Sequence, residues 1–99
     1  MNNKLIGKYV IVRADHAGAF AGILAEKDGT EVTLTSCRRI WYWEGAASLS
    51  QLANEGVSKP EECKFSVEVA EIVITGVIEI IPTTSEAEEC IRGVPVWRV

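Results

Sequence analysis

Apolar and polar positions alternate with a period of two along most of the first half of the chain, and this period is typical of half-buried β-strands. β-branched and aromatic residues are frequent in the same stretches, and both suit a pleated surface. Asp28-Gly29 is the strongest turn signal, because such pairs adopt the backbone conformations that tight hairpin turns need. The pattern predicts strands over Gly7–Ala14, Phe20–Lys27, Glu31–Thr35 and Cys37–Glu44, and a terminal strand over Val96–Val99.

The stretch Phe65–Ile81 is apolar almost throughout, and we expect two or three strands in it, with breaks near Ala70-Glu71 and Thr75-Gly76. Two other segments have helical spacing. Ser48–Gln51 is a capping-box pattern ahead of apolar residues, and Thr83–Glu86 opens a second short helix. The sequence therefore predicts a β-rich α+β fold: a small twisted antiparallel sheet or partly open barrel with two short helices.

The size and composition of the chain indicate one soluble domain over residues 1–99. Its 99 residues allow one hydrophobic core, and its 47% hydrophobic and 24% charged content is ordinary for a globular protein. No window approaches the roughly 18 consecutive apolar residues that a membrane span needs, and we see no signal peptide. We expect a cytoplasmic protein of the bacterial host cell. The net charge of −4 argues against general nucleic-acid binding.

The cysteines and the single histidine do not suggest a metal site. Cys37, Cys63 and Cys90 are far apart in sequence, form no Cys-x-x-Cys pair, and have only His16 as a second type of soft ligand. An odd number of cysteines in a short chain fits a reducing compartment, where they pack as small apolar groups. We therefore expect neither a metal nor a cofactor.

The aromatic and basic run Arg38–Trp43 carries the most chemistry in the sequence. Strand alternation places Arg39, Trp41 and Trp43 on one face and Arg38 on the other. A guanidinium group binds oxyanions through paired donors, and an indole face stacks on planar rings. This face therefore predicts a site for a planar, anionic ligand. The alternative is that the tryptophans belong to the core or to a subunit interface.

The first predicted turn supplies further candidates. His16 follows Asp15, Arg13 lies one strand repeat earlier, and Gly18 permits a close approach of a ligand. No serine or cysteine pairs with His16 in sequence, so we do not expect an enzyme. The predicted ligand-binding residues are Arg13, His16, Gly18, Arg38, Arg39, Trp41 and Trp43.

Several of these motifs together resemble a family of small phage and prophage proteins that share a domain of unknown function. The resemblance covers nearly the whole chain and rests on Lys8–Arg13, the Ala17-Gly18 turn, Arg38–Trp43, Glu79–Pro82 and Val94–Trp97. At Asp15-His16 this sequence departs from the small residues of the family. The resemblance implies no activity, but a phage origin implies roles for which a compact domain without catalytic residues is sufficient.

The functional hypothesis is a phage counter-defence protein that sequesters a nucleotide-derived immune signal of the host, such as a cyclic nucleotide or an ADP-ribose derivative. We expect the ligand to lie at the interface of a homo-oligomer, because three tryptophans and the apolar stretch Ile72–Ile81 exceed what a small core hides. The alternative is a protein–protein inhibitor or virion accessory protein whose tryptophan-rich strand is the partner surface. An enzyme that uses His16 ranks third.

Overall fold

The computed structural model describes residues 4–98 and contains six strands and two α-helices. A 3₁₀ turn, Pro60–Glu62, precedes β4. The strands are β1 (Tyr9–Ala14), β2 (Gly18–Asp28), β3 (Glu31–Tyr42), β4 (Lys64–Phe65), β5 (Val69–Ile74) and β6 (Val77–Pro82). The helices are α1 (Leu49–Glu55) and α2 (Ser85–Gly93). The fold is β-rich α+β, as the hydrophobic pattern predicts.

The strands form one open antiparallel sheet in the order β4-β3-β2-β1-β6, and β5 pairs with the first half of β3. β5 and β6 follow one another in the chain, yet they pair with opposite sides of the three-stranded centre. The turn at Thr75-Gly76 that joins them therefore draws the two sides of the sheet toward each other. The result is a curled sheet that does not close.

Apolar residues are buried on both faces of this sheet. On the concave face, apolar side chains from β1, β2, β3, β5 and β6 pack against one another, and they include Val12, Phe20 and Leu34. On the convex face, Tyr9 and other strand residues pack against the helices and the loops beside them. Successive residues of β1 therefore lie in two separate hydrophobic cores, which explains why both Tyr9 and Val10 are buried.

A β-bulge in the middle of β3 explains why the two predicted strands Glu31–Thr35 and Cys37–Glu44 are one continuous strand. The register with β2 shifts at this point, and Ser36 adopts a positive φ of 49°. Gly22 of β2 lies opposite the bulge, where a Cβ atom would be 3.0 Å from the Thr35 carbonyl oxygen. The bulge moves Cys37 and Arg39 to the concave face, which Leu34 also faces.

The helices begin where their caps predict. Ser48 Oγ accepts a hydrogen bond from the Gln51 N–H, and Thr84 Oγ1 accepts one from the Ala87 N–H. The predicted break near Ala70-Glu71 is wrong, because β5 runs through it and the interruption lies before Val69. The break at Thr75-Gly76 is confirmed. At the C-terminal end only Val96 makes a strand bridge, and Val99 lies outside the described residues.

The burial of the Tyr9 phenol and the Cys37 thiol predicts that the free energy of unfolding falls in alkaline solution. Burial raises the pKa of Tyr9 from 10.0 to about 12, and that of Cys37 from 9.0 to about 12. At a pH between the unfolded-state and folded-state pKa values, the unfolded chain loses protons that the folded chain retains. The stabilising contribution of the two groups is therefore fully present below pH 9 and is lost as the pH rises toward 12. For Tyr9, a folded-state pKa of about 12 instead of 10.0 corresponds to about 2–3 kcal/mol of folding free energy.

We expect Tyr9→Phe to remove the tyrosine part of this loss, which begins near pH 10, and to leave the cysteine part. Urea unfolding of the parent and the variant at pH 8 and pH 11 measures the difference. Equal alkaline losses in the two proteins would show that Tyr9 does not contribute.

Candidate functional site

An apolar cleft lies at the end of β3, between two exposed tryptophans. It has a volume of about 230 Å³ and is lined by Arg39, Trp41, Ser66 and Trp97. The exposed fractions of Trp41 and Trp97 are 62% and 48%, which are high for so large an apolar residue. The cleft therefore presents two indole groups and one guanidinium group to solvent.

Backbone pairing at the edge of the sheet brings these residues together. Ser66 Oγ accepts a hydrogen bond from the Arg39 N–H at 2.8 Å, and the Ser66 N–H donates to the Arg39 carbonyl at 3.0 Å. Val96 forms a parallel bridge with Phe65, and the Trp97 N–H donates to the Phe65 carbonyl at 2.9 Å. The last residues of the chain are thus held beside β4, which places Trp97 across the cleft from Trp41.

The Arg39 side chain is exposed, and its guanidinium group lies over the ring of Phe20, with its Cζ atom 4.8 Å from the ring centroid. Within residues 4–98 it forms no ion pair with a carboxylate. Arg39 and Ser66 also line a second cavity of about 110 Å³, which is bounded by residues of the concave face, among them Cys37 and Ile72. Arg39 therefore lies between the aromatic cleft and the interior of the curled sheet, with its charge available to an anion.

Arg38, the neighbouring arginine, has a different environment. It is only 3% exposed and donates hydrogen bonds to the carbonyl oxygens of Ile91, Val94 and Ser66 at 2.8, 2.7 and 2.8 Å. Burial lowers the pKa of its guanidinium group, whereas the nearby Tyr9 and Glu68 act in the opposite direction. The structure thus uses Arg38 to hold the end of α2 and the segment after it, and does not place it in the cleft.

The structure also separates Trp43 from the predicted face. β3 ends at Tyr42, so the strand alternation does not extend to Trp43. Its side chain packs against the helical core, and its Nε1–H donates to the Ala46 carbonyl at 3.0 Å. Of the three residues predicted to share a face, the structure brings together Arg39 and Trp41.

The candidates of the first turn lie elsewhere. Arg13 pairs with Ala19, which in turn pairs with Ile40, so Arg13 is on the sheet face opposite Arg39. Its side chain forms an ion pair with Glu79 at 3.0 Å. His16 is exposed in the turn, and Gly18 supports that turn through a φ of 96°. These residues do not join Arg39 and Trp41.

The thiols offer little nucleophilic chemistry near the cleft. Burial raises the pKa of Cys37 to about 12 and also raises the pKa of Cys63, so both remain protonated thiols near neutral pH. Among the residues that the structure describes, no group of three or more His, Cys, Asp and Glu side chains is arranged to hold a metal ion. The arrangement at the cleft is suited to stacking and to charge attraction.

The fold and the cleft define a small α+β domain with an open sheet and an aromatic, cationic edge. The chain belongs to the family described as domain of unknown function DUF6948, whose model matches residues 7–91. No match was found among curated proteins or among solved structures. No helix within residues 4–98 is long and apolar enough to cross a membrane.

Sequence reasoning missed Trp97 as a site residue. A sequence pattern that indicates its orientation was present: Val96–Val99 is predicted as a strand, and strand alternation places Trp97 on the face opposite Val96. Which strand this segment joins depends on tertiary pairing. The bridge to Phe65 and the carbonyl contacts of Arg38 supply that pairing.

Proposed function

We propose that this protein is a binding protein without catalytic activity that takes a nucleotide-like ligand in the Arg39–Trp41–Trp97 cleft. The observation that carries the proposal is that two exposed indole groups and an arginine without a carboxylate partner, within the described chain, line one apolar cavity. Indole faces stack on planar rings, and a guanidinium group attracts phosphate oxygens.

The cleft is large enough to hold one ring of the ligand but not the whole molecule. Pockets that enclose drug-sized ligands measure about 300–1,000 Å³, and this cleft measures about 230 Å³. In the proposed complex a nucleobase lies between Trp41 and Trp97. The sugar and phosphate extend toward Arg39, where the smaller cavity of about 110 Å³ begins.

Sequestration of a nucleotide-derived immune signal in the bacterial cytoplasm is the biological role that we propose for such binding. The phage origin implied by the sequence resemblance favours this role, because a domain that only removes a signal from solution needs affinity and no chemistry. The competing role is inhibition of a host protein through the same tryptophans. Exposed aromatic residues also anchor protein interfaces, so the experiment must distinguish the two roles.

Isothermal titration calorimetry with AMP, ADP-ribose and cyclic dinucleotides tests the proposal. We expect binding of at least one of these compounds, and Arg39→Ala should weaken it by roughly tenfold or more, since a charge-assisted bond contributes about 1.5–3 kcal/mol. Binding by the parent should also weaken as salt is added. Lys27→Ala is the matched control, because it removes the same charge from an exposed residue at the β2–β3 turn.

Two outcomes would contradict the proposal. One is that no compound of the series binds at millimolar concentration. The other is that Arg39→Ala and Lys27→Ala change the affinity equally, because the charge of Arg39 would then have no local role. A host protein that is retained by the parent and released by Trp41→Ala would favour the inhibitor role instead.

A further inference from the structure

We propose that two copies of this chain form a dimer through the free edge of β5, so that two sheets join in antiparallel fashion. In the described chain β5 pairs with β3 on one side only. A strand edge of this kind presents unpaired N–H and C=O groups, and proteins either protect such edges or pair them with another strand. The protection of each edge of this sheet therefore determines where a second chain can pair.

The other two edges carry protection. The outer edge of β4 is covered by the C-terminal segment, through the Phe65–Val96 bridge and the hydrogen bond from the Trp97 N–H. β6 is interrupted by a register shift opposite Arg13 and Ala14, and it ends in Pro82. Bulges and prolines both discourage the addition of another strand.

β5 has none of these devices. Its register with β3 is regular from Glu71 to Ile74 and does not shift at Val69, although Ser36 and Ala70 form no pair, and Val69–Ile74 contains neither lysine nor proline. Exposed valines lie on it and next to it, namely Val67, Val69 and Val73. Since β5 is the one of these three edges that lacks protection within residues 4–98, pairing between two copies uses that edge in both and closes as a two-fold dimer instead of continuing as a fibre.

The sequence of β5 is compatible with pairing to itself. If Ile72 lies on the two-fold axis, Glu71 of one copy is opposite Val73 of the other, and no two carboxylates face each other. Residues directly opposite each other in an antiparallel pair point to the same side, so this register also keeps Ile72 and Ile74 on the concave face in both copies. The occupant we infer is therefore a second copy of β5.

This dimer would also affect the ligand site, and that part of the inference rests on the proposed function. Val69 and Ile72 of β5 line the cavity of about 110 Å³ together with Arg39 and Ser66. A second β5 strand would lie beside this cavity. It would reduce the access of solvent to the side where the phosphate of the ligand is placed.

Light scattering after size-exclusion chromatography tests the dimer, together with sedimentation at about 1–100 µM protein. We expect the parent to have twice the chain mass of 10.8 kDa. Val73→Lys should convert it to a monomer, because a lysine on the paired edge places two charges in the interface. Ile78→Lys is the matched control, since Val73 and Ile78 are both 54% exposed and Ile78 lies on β6. Circular dichroism should show that both variants retain the fold.

A monomeric parent over this range would overturn the dimer. So would a dimer that persists in Val73→Lys, or one that Ile78→Lys dissociates to the same extent. Nucleotide affinity is measured separately on each species. Equal affinity of the Val73→Lys monomer and the parent dimer would overturn only the link between the dimer and the site.

Discussion

Arg38→Ala is expected to lower the free energy of unfolding by about 3–5 kcal/mol, which is a large part of the stability of a small domain. The side chain is buried, and its three shortest hydrogen bonds go to carbonyl oxygens that follow β4 or end α2. Alanine would remove the guanidinium donors of these oxygens, of which that of Ile91 keeps the Val94 N–H as a donor at 3.3 Å. It would also create a cavity beside Phe65, over whose ring Arg38 lies. The C-terminal segment that carries Trp97 should then detach from the sheet.

Arg39→Ala is the natural control, because it removes the same side chain from the next position. Arg39 is exposed and has no ion pair in the described part of the chain, so its loss should cost less than about 1 kcal/mol. Urea unfolding of the two variants measures the contrast. If Arg38→Ala unfolds within about 0.5 kcal/mol of the parent, the structural role that we assign to Arg38 is wrong.

The second large effect concerns the two tryptophans of the cleft. Stacking of a base on an aromatic side chain contributes about 1–3 kcal/mol, so the double variant Trp41→Ala, Trp97→Ala should lose about 2–6 kcal/mol of binding free energy. Even the lower value corresponds to a roughly 30-fold higher Kd. Trp41 is mostly exposed and Trp97 about half exposed, and neither belongs to a hydrophobic core, so the fold should persist in the variant.

Trp43→Phe is the matched aromatic control for this experiment. Trp43 packs against the helical core and does not line the cleft. We expect its replacement to cost some stability through the lost hydrogen bond to Ala46, and to leave the Kd unchanged. A double variant that binds as the parent does would remove the tryptophans from the site. A larger loss of affinity in Trp43→Phe than in the double variant would place the ligand at Trp43 instead of in the cleft.

Much of the fold follows from local signals in the sequence. The strand period, the Asp28-Gly29 turn and the helix-start patterns at Ser48–Gln51 and Thr83–Glu86 act over a few residues, and the structure confirms them. The bulge at Ser36 is harder to predict, because it depends on Gly22 in the neighbouring strand. The curl of the sheet depends on which edges β5 and β6 join, and no local pattern specifies that choice.

The candidate site was predictable to the extent that it lies on one regular strand. Alternation correctly groups Arg39 with Trp41 and separates both from Arg38. It fails at Trp43 because β3 ends one residue earlier, and a strand pattern does not show where pairing stops. Trp97 could not be assigned, because its position depends on a parallel bridge between segments that are distant in sequence.

If the ligand binds between Trp41 and Trp97, the indole N–H signals in a two-dimensional NMR spectrum will report it without any substitution. The chain has three tryptophans, so three such signals are expected. Titration with the tightest-binding nucleotide should shift the signals of Trp41 and Trp97, because a stacked base changes their ring environment. The signal of Trp43 should remain in place, since its Nε1–H is bonded to the Ala46 carbonyl. A shift of the Trp43 signal alone, or no shift of any indole signal at saturating ligand, would show that the ligand does not bind in the cleft.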